Sequence, residues 1–384
     1  MIVSNFIESV IQEKSGFSLD EAWRLNEQSL SAVVPVLRET KKKRDYVTLA
    51  EAKKVKIEDT GDINYVYVKN LGKKPLLVSR GEFFRSESQE RAATHGHVIQ
   101  PGKGMRVSVR CIHQSNPISK GQKMEYGGRV PYAIDLGNQH KTWESVNVYT
   151  TNLASSGHIR TTDRSKGMRI GRNIIGRSYV EDSSAEAELD SLVETSNFND
   201  TDLDGGILLG SSSNNGFNEP VMEATPAAAA FAEGADESAD IVDSDDLVGT
   251  LDKMSDTFKE IMKKIPYIKN QTGAIFLNEN DVQGLDIYDL KESWKSVKED
   301  VVSKEGSNFI KKEKDNPFEL NPKKIKSWLS NRLGVDFQEK TIHDSKDYKI
   351  IEVREVNEDS KSKSLRGEAV LLNGEVIHLT LYRN

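Results

Sequence analysis

The chain has 384 residues, of which 36% are hydrophobic and 29% charged, with a formal net charge of −7. That length allows two domains or one domain with a long insertion, and such polarity implies that part of it is not packed. A single cysteine, Cys111, excludes an intrachain disulfide, and no apolar run reaches the roughly 18–20 residues that span a bilayer.

The opening residues, MIVSNFIESVIQEKSG, lack a basic stretch followed by a continuous apolar core. No signal peptide is expected, and a reducing, cytoplasmic setting follows. FIESVIQEK and SLDEAWRLNEQSL have the spacing of short helices, and SAVVPVLRE that of a strand. In YVTLAEAKK, Thr48 and Glu51 stand at capping-box spacing and start a short helix. Short β-branched runs follow, separated by Gly, Pro or Asn: VKIED, NYVYVKN, KPLLVSRGEF, HGHVIQPG and MRVSVRCIH. In the last, Met105, Val107, Val109 and Cys111 alternate with Arg106, Ser108 and Arg110, an antiparallel, half-exposed pattern.

Beyond about residue 150 the character changes. SSGHIRTTDRSKGMRIGRNIIGRS is basic and glycine-rich. From Glu181 to Thr250 there are 18 Asp and Glu and no Lys or Arg, which leaves 53 basic against 42 acidic residues elsewhere. Such a tract buries too little apolar surface to fold alone, so roughly 180–245 is expected to be disordered. Order returns where Leu251, Met254, Phe258, Ile261 and Ile265 form an amphipathic helix that ends near Pro266. TGAIFLNENDVQGLDIYD reads as a hairpin, and Asp289 with Glu292 caps the next helix, whose stripe is Leu290, Trp294, Val297 and Val301. NPKKIKSWLSNRLG is a further helix. DYKIIEVREV and GEAVLLNGEVIHLTLYRN close the chain as a strand and a hairpin turned at Asn373-Gly374.

YVTLAEAKK, PLLVSRGEFF, SQER, HVIQPG, RVSVRCIH, GNQHKTWESV, the hairpin at QTGAIFLNENDVQGLDIYD and the final VIHLTLY occur in an order that resembles the ARG and Rhodanese-Phosphatase-superfamily-associated protein domain. The resemblance covers about 45–150 and 250–384. It implies one domain split by an insertion: 1–150 and 251–384 form its halves, and 151–250 the basic, then acidic, insertion. Two positions depart from the family pattern, Ser86 in place of a glycine and Tyr288 in place of Phe. The resemblance implies no established activity. The family name refers to genomic company with NAD/ADP-ribose-type and phosphatase-type enzymes, which is association only.

The expected fold class is α+β: a β-rich antiparallel sheet or sandwich with a few packed helices. Gly81, Glu82, Gln89 and Arg91 match the family motif and are the first candidates for a polar ligand site. Their bland alternative is a Glu82–Arg91 salt bridge pinning a loop. Asp286 and His378 could serve acid–base chemistry or hydrogen-bond within a core. His95 and His97, two apart on a strand, could meet one metal with Cys111 and His113, but the downstream glutamate of such sites is replaced by Gln100. Arg160, Arg164, Lys166, Arg169, Arg172 and Arg177 form a basic arm suited to nucleic acid or another anion. No phosphate-loop or dinucleotide fingerprint is present; GGRVPY and GMRIGRNIIGR fit neither. The expectation is a cytoplasmic module that binds a protein partner or a small polar ligand, with no cofactor and no membrane. The alternatives are a hydrolase of a nucleotide- or phosphate-containing substrate and a metal-binding β-domain.

Overall fold

Alternating apolar residues build strands through most of the molecule. The computed structural model describes residues 2–24, 31–87, 89–114, 119–155, 160–162, 241–243, 246–278, 281–307, 320–334, 336–356 and 364–383. The first half contains α1 (Ile2–Ile11), β1 (Phe17–Leu19), β2 (Ser31–Arg38), β3 (Val47–Thr48), β4 (Val55–Asp59), β5 (Tyr65–Asn70) and β6 (Leu76–Val78). It continues with β7 (Glu82–Arg85), β8 (Arg91–Ala93), β9 (His97–Ile99), β10 (Gly104–Cys111), β11 (Lys123–Arg129), α2 (Gln139–Ser155) and β12 (Arg160–Thr162). The second half holds β13 (Ile241–Asp243), α3 (Leu247–Lys253), α4 (Ser255–Lys264), β14 (Gln271–Asn278), β15 (Asp281–Tyr288), α5 (Lys291–Ser307) and α6 (Pro322–Leu333). It ends with β16 (Phe337–Asp344), β17 (Tyr348–Glu355), β18 (Leu365–Leu372) and β19 (Glu375–Arg383).

Residues Met1–Thr162 and Asp236–Asn384 group as one compact unit. Residues 163–240 lie outside the described residues, and with them most of the acidic tract and Arg164, Lys166, Arg169, Arg172 and Arg177 of the basic arm. Arg160 opens β12, which pairs in parallel with β13. Among the described residues no helix is long and apolar enough to cross a membrane.

Two β-structures dominate. Eight strands form an antiparallel sheet in the order β1-β2-β14-β15-β19-β18-β17-β16, and β10-β5-β4-β11-β7-β8 close into a barrel. The α+β, antiparallel reading of the sequence therefore holds, but half-exposed strands are only part of it. β5 alternates buried and half-buried residues along the barrel, whereas β14, β15, β18 and β19 are buried on both faces. One face of the large sheet packs on α1 and α6 through Leu285, Ile287, Leu379 and Leu381. The other packs on Trp294 and Val301 of α5 and on Tyr46, Leu77 and Val98. The barrel is filled by Val66, Val68, Phe84, Ala93, Val107, Val109 and Met124. Since residues two apart on a strand share a face, Asp286 and Tyr288, and His378 and Thr380, turn away from the α1/α6 core.

Several local expectations are corrected. SLDEAWRLNEQSL is not a helix where it is described: Leu19 ends β1, and Trp23 bridges Val33. β1 pairs with β2 at Phe17–Arg38, so cross-strand pairing outweighs helical spacing here. The long amphipathic helix is two, broken at Met254, which buries with Phe258 against Val146, Tyr149 and Leu153 of α2. α2 runs to Ser155 and α3 starts at Leu247. Asp289 turns its carboxylate to Tyr46 (2.6 Å) and Lys42 (2.9 Å). Glu51 does reach back to the Thr48 N–H at 3.0 Å, and the last hairpin turns on Asn373 and Gly374, both at positive φ.

Candidate functional site

The face of the large sheet that meets the barrel carries a row of polar side chains. Glu368, Thr380 and Asp286 are in register across β18, β19 and β15. Asp286 is fully buried and takes three partners. Tyr132 donates its hydroxyl hydrogen to Oδ2 at 2.8 Å, and Arg129 Nη1 donates to the same oxygen. His378 Nε2 lies 3.0 Å from Oδ1. A carboxylate only accepts, so Nε2 carries the hydrogen of that bond. The His378 ring stacks on Tyr288 with centroids 4.3 Å apart. Burial drives the Asp286 carboxyl up, but Arg129 and then His378 outweigh it, and the group is held below its ordinary value.

Arg129 comes from β11, opposite Glu82 of β7. Glu82 follows a tight turn in which its N–H donates to Ser79 O at 3.1 Å. Gly81 is the third residue of that turn, at φ +80°, a conformation that side chains with a Cβ rarely adopt. The turn is closed a second time by the Ser79 N–H donating to Glu82 Oε2 at 2.8 Å. It presents Arg80, whose Nη1 donates to Thr94 O and whose guanidinium lies 5.1 Å from the centre of the Tyr382 ring. Tyr382 in turn stacks on Tyr132 at 6.3 Å.

A small cleft opens at this junction. Arg80, Gly81 and Arg129 line it with Tyr132, Thr380 and Tyr382, and Val130, Pro131, Ile134 and Leu136 supply an apolar wall. Three buried polar atoms here have no hydrogen-bond partner among the described residues: Thr380 Oγ1, Glu82 Oε1 and His378 Nδ1. Only Thr380 lines the pocket itself. A second, more polar cleft is lined by Arg38, Lys42 and Lys291, but Lys42 and Arg38 are already bonded to Asp289.

The candidates from the sequence are thus partly gathered and partly scattered. Asp286 and His378 meet, and Gly81 and Glu82 stand at the same junction. Arg91 does not. Its strand neighbour across β7 is Phe84, two positions beyond Glu82, and its guanidinium pairs with Asp59 at 2.9 Å, both side chains fully buried. The Glu82–Arg91 salt bridge is therefore replaced by Arg91–Asp59. Gln89 stays in the connecting loop, where its N–H donates to Ser86 Oγ at 3.0 Å and Ser86 donates back to its carbonyl at 2.8 Å. The serine that departs from the family pattern thereby closes this loop.

The four metal candidates also separate. β9 pairs with β6 and not with β10, so His97 and Cys111 lie on different sheets. His95 Nδ1 is 3.3 Å from Glu368, while His113 faces Glu90 and Asp246 at 3.6 and 3.8 Å. Burial lowers the His97 imidazole to about 3 and raises the Cys111 thiol to about 11, so both are neutral. Among the described residues no group of three or more His, Cys, Asp or Glu side chains could hold a metal ion.

Arg80, Arg129, Tyr132 and Thr380 were not singled out in the sequence. GGRVPY holds two of them, and Thr380 shares strand phase with His378. Neither signal is a motif.

Burial raises the Glu82 carboxyl to about 8, with Arg129 opposing. Between about pH 4.5 and 8 the folded chain keeps a proton that the unfolded chain releases, so stability falls as pH rises through that window, by up to about 1.4 kcal/mol per unit. Glu82→Gln, permanently neutral, is expected to flatten this slope in urea unfolding followed from pH 5 to 8. An unchanged slope would assign the proton to another group.

An antiparallel barrel joined to a two-faced sheet, with a cationic cleft at the junction, defines a β-rich domain. A family model described as ARPP-1, ARG and Rhodanese-Phosphatase-superfamily-associated Protein domain, matches residues 26–166 and 214–382. The chain belongs to that family. No curated protein and no solved structure matches it.

Proposed function

We propose that this chain is a cytoplasmic binding module that holds a small anionic ligand in the Arg80–Arg129 pocket. One observation carries the reading. The hydroxyl of Thr380 is buried, lines the pocket and has no partner among the described residues. A buried polar group without a partner costs about 1–3 kcal/mol, which a bound oxygen would recover. Arg80 and Arg129 supply donors of the fixed geometry that suits carboxylate and phosphate oxygens.

Binding is favoured over catalysis by depth. Asp286 and His378 are fully buried, and neither is among the residues that line the pocket. A hydrolase has one observation in its favour, the free Nδ1 of His378, which is a base without a substrate within reach. Turnover of a panel of phosphate esters, lost in His378→Gln, would establish that second reading in place of the first.

Thr380→Val is the direct test of binding. It keeps the shape and removes the hydroxyl. Affinity for a small oxyanion is expected to fall about tenfold, the worth of one hydrogen bond, while the melting temperature stays level or rises because an unsatisfied group is gone. Titration calorimetry and thermal unfolding read the two effects separately. Equal affinity in both proteins would place the ligand elsewhere.

A further inference from the structure

Glu82 follows Gly81 of the pocket lining and is linked to both cations of the pocket by different routes. It closes the Ser79–Glu82 turn that presents Arg80, through the Ser79 N–H at 2.8 Å. It stands opposite Arg129 across β7 and β11, and the two are electrostatically coupled. Its Oε1 is buried and without a partner among the described residues. The charged and titratable groups around it are Arg129 and Tyr126 from β11, Asp286 and Tyr288 from β15, and Asp300 from α5. Lys304 of α5 is committed to Asp300 and to the Arg129 carbonyl.

Arg129 is the single cation in that set free of α5, and Asp286 already holds it. An ionised Glu82 adds a second carboxylate competing for the same guanidinium, which must then also serve a ligand anion. A protonated Glu82 does not compete. We infer that anion binding in this pocket is linked to protonation of Glu82, so that the site loads its ligand together with a proton and releases both together. The inference rests on the reading of the pocket as an anion site. The ligand is held in neutral or acidic surroundings and released in alkaline ones. The raised carboxyl, about 8, places the midpoint close to physiological pH, where a modest change moves the population.

The test is titration of the full chain and of Glu82→Gln with sodium sulfate and with sodium acetate, from about pH 6 to 9.5. Neither anion changes charge in that range, so any dependence belongs to the protein. In the wild type, affinity is expected to be level up to about pH 7 and to approach a tenfold loss per pH unit above about pH 8. In Glu82→Gln it stays level throughout, because the amide cannot ionise and still accepts from Ser79. At pH 8, heats in two buffers of different ionisation enthalpy should report proton uptake in the wild type and none in the variant. Level wild-type affinity to pH 9.5, or the same decline in Glu82→Gln, overturns the linkage and leaves anion binding standing. If neither anion binds at any pH, the anion reading itself falls, and the linkage with it.

Discussion

Asp286→Ala is expected to cost about 3–5 kcal/mol of stability, because it leaves an unpaired charge in the interior. The carboxylate accepts from Arg129 and Tyr132 on one oxygen and faces His378 on the other. Removing it strands the Arg129 guanidinium, only 3% exposed, between the barrel and the sheet. Two further donors lose their acceptor at the same time, each a cost of about 1 kcal/mol or more. Asp286→Asn is the intermediate case: it keeps the shape and one acceptor, but loses the charge and turns an amide N–H toward one of the donors. Urea unfolding should rank wild type above Asn above Ala. A double variant, Asp286→Leu with Arg129→Met, should recover part of the loss, since an apolar pair needs no compensation. If Asp286→Ala unfolds at the same urea concentration as wild type, the network does not hold the junction together.

That network shows how far the sequence could be read. GLDIYD and IHLTL alternate, so a period of two puts Leu285 and Ile287 on one face and Asp286 and Tyr288 on the other. Two strands with this phase make Asp286 and His378 neighbours in any antiparallel pairing that aligns them, and the observed register places Tyr288 opposite His378. What alternation does not carry is the depth of the polar face. A strand with one polar face reads as half-exposed, yet here the barrel covers that face and the polar groups satisfy one another instead of water. The covering side chain, Arg129, comes from KMEYGGR, whose two glycines and alternating charges conceal a strand. The irregularity between Tyr126 and Gly128 explains part of this, because a bulge shifts the phase on which periodicity depends. The motif residues fared similarly. Glu82 and Arg91 are near in sequence and look like partners, but pairing across β7 and β8 sets them at different levels, and the partner of Arg91 is 32 residues upstream. Local pattern identifies strands and faces; which distant charge meets which is decided by barrel closure.

Arg91 therefore carries the other large prediction, and it separates fold from function. Its Nη2 donates to both oxygens of Asp59, at 3.1 and 2.9 Å, and its Nη1 donates to the carbonyls of Asp62 and Tyr65. Asp59 ends β4, Tyr65 begins β5 and Arg91 begins β8, so one guanidinium ties three barrel strands and the turn between two of them. Arg91→Ala strands the buried Asp59 carboxylate and frees two carbonyls, and a loss of about 3–5 kcal/mol is expected. Arg91→Lys keeps the charge but not the two-pronged geometry, and should recover only part of it. Below their melting temperatures, both variants should bind a pocket anion as the wild type does, because Arg91 is not among the residues that line the pocket. Denaturation midpoints and anion titrations on the same samples decide this. Lost affinity in a folded Arg91→Lys protein would return Arg91 to the site, as its place in the family motif first suggested. Lost stability with full affinity would show that Arg91 serves the closure of the barrel and not the reading of the ligand.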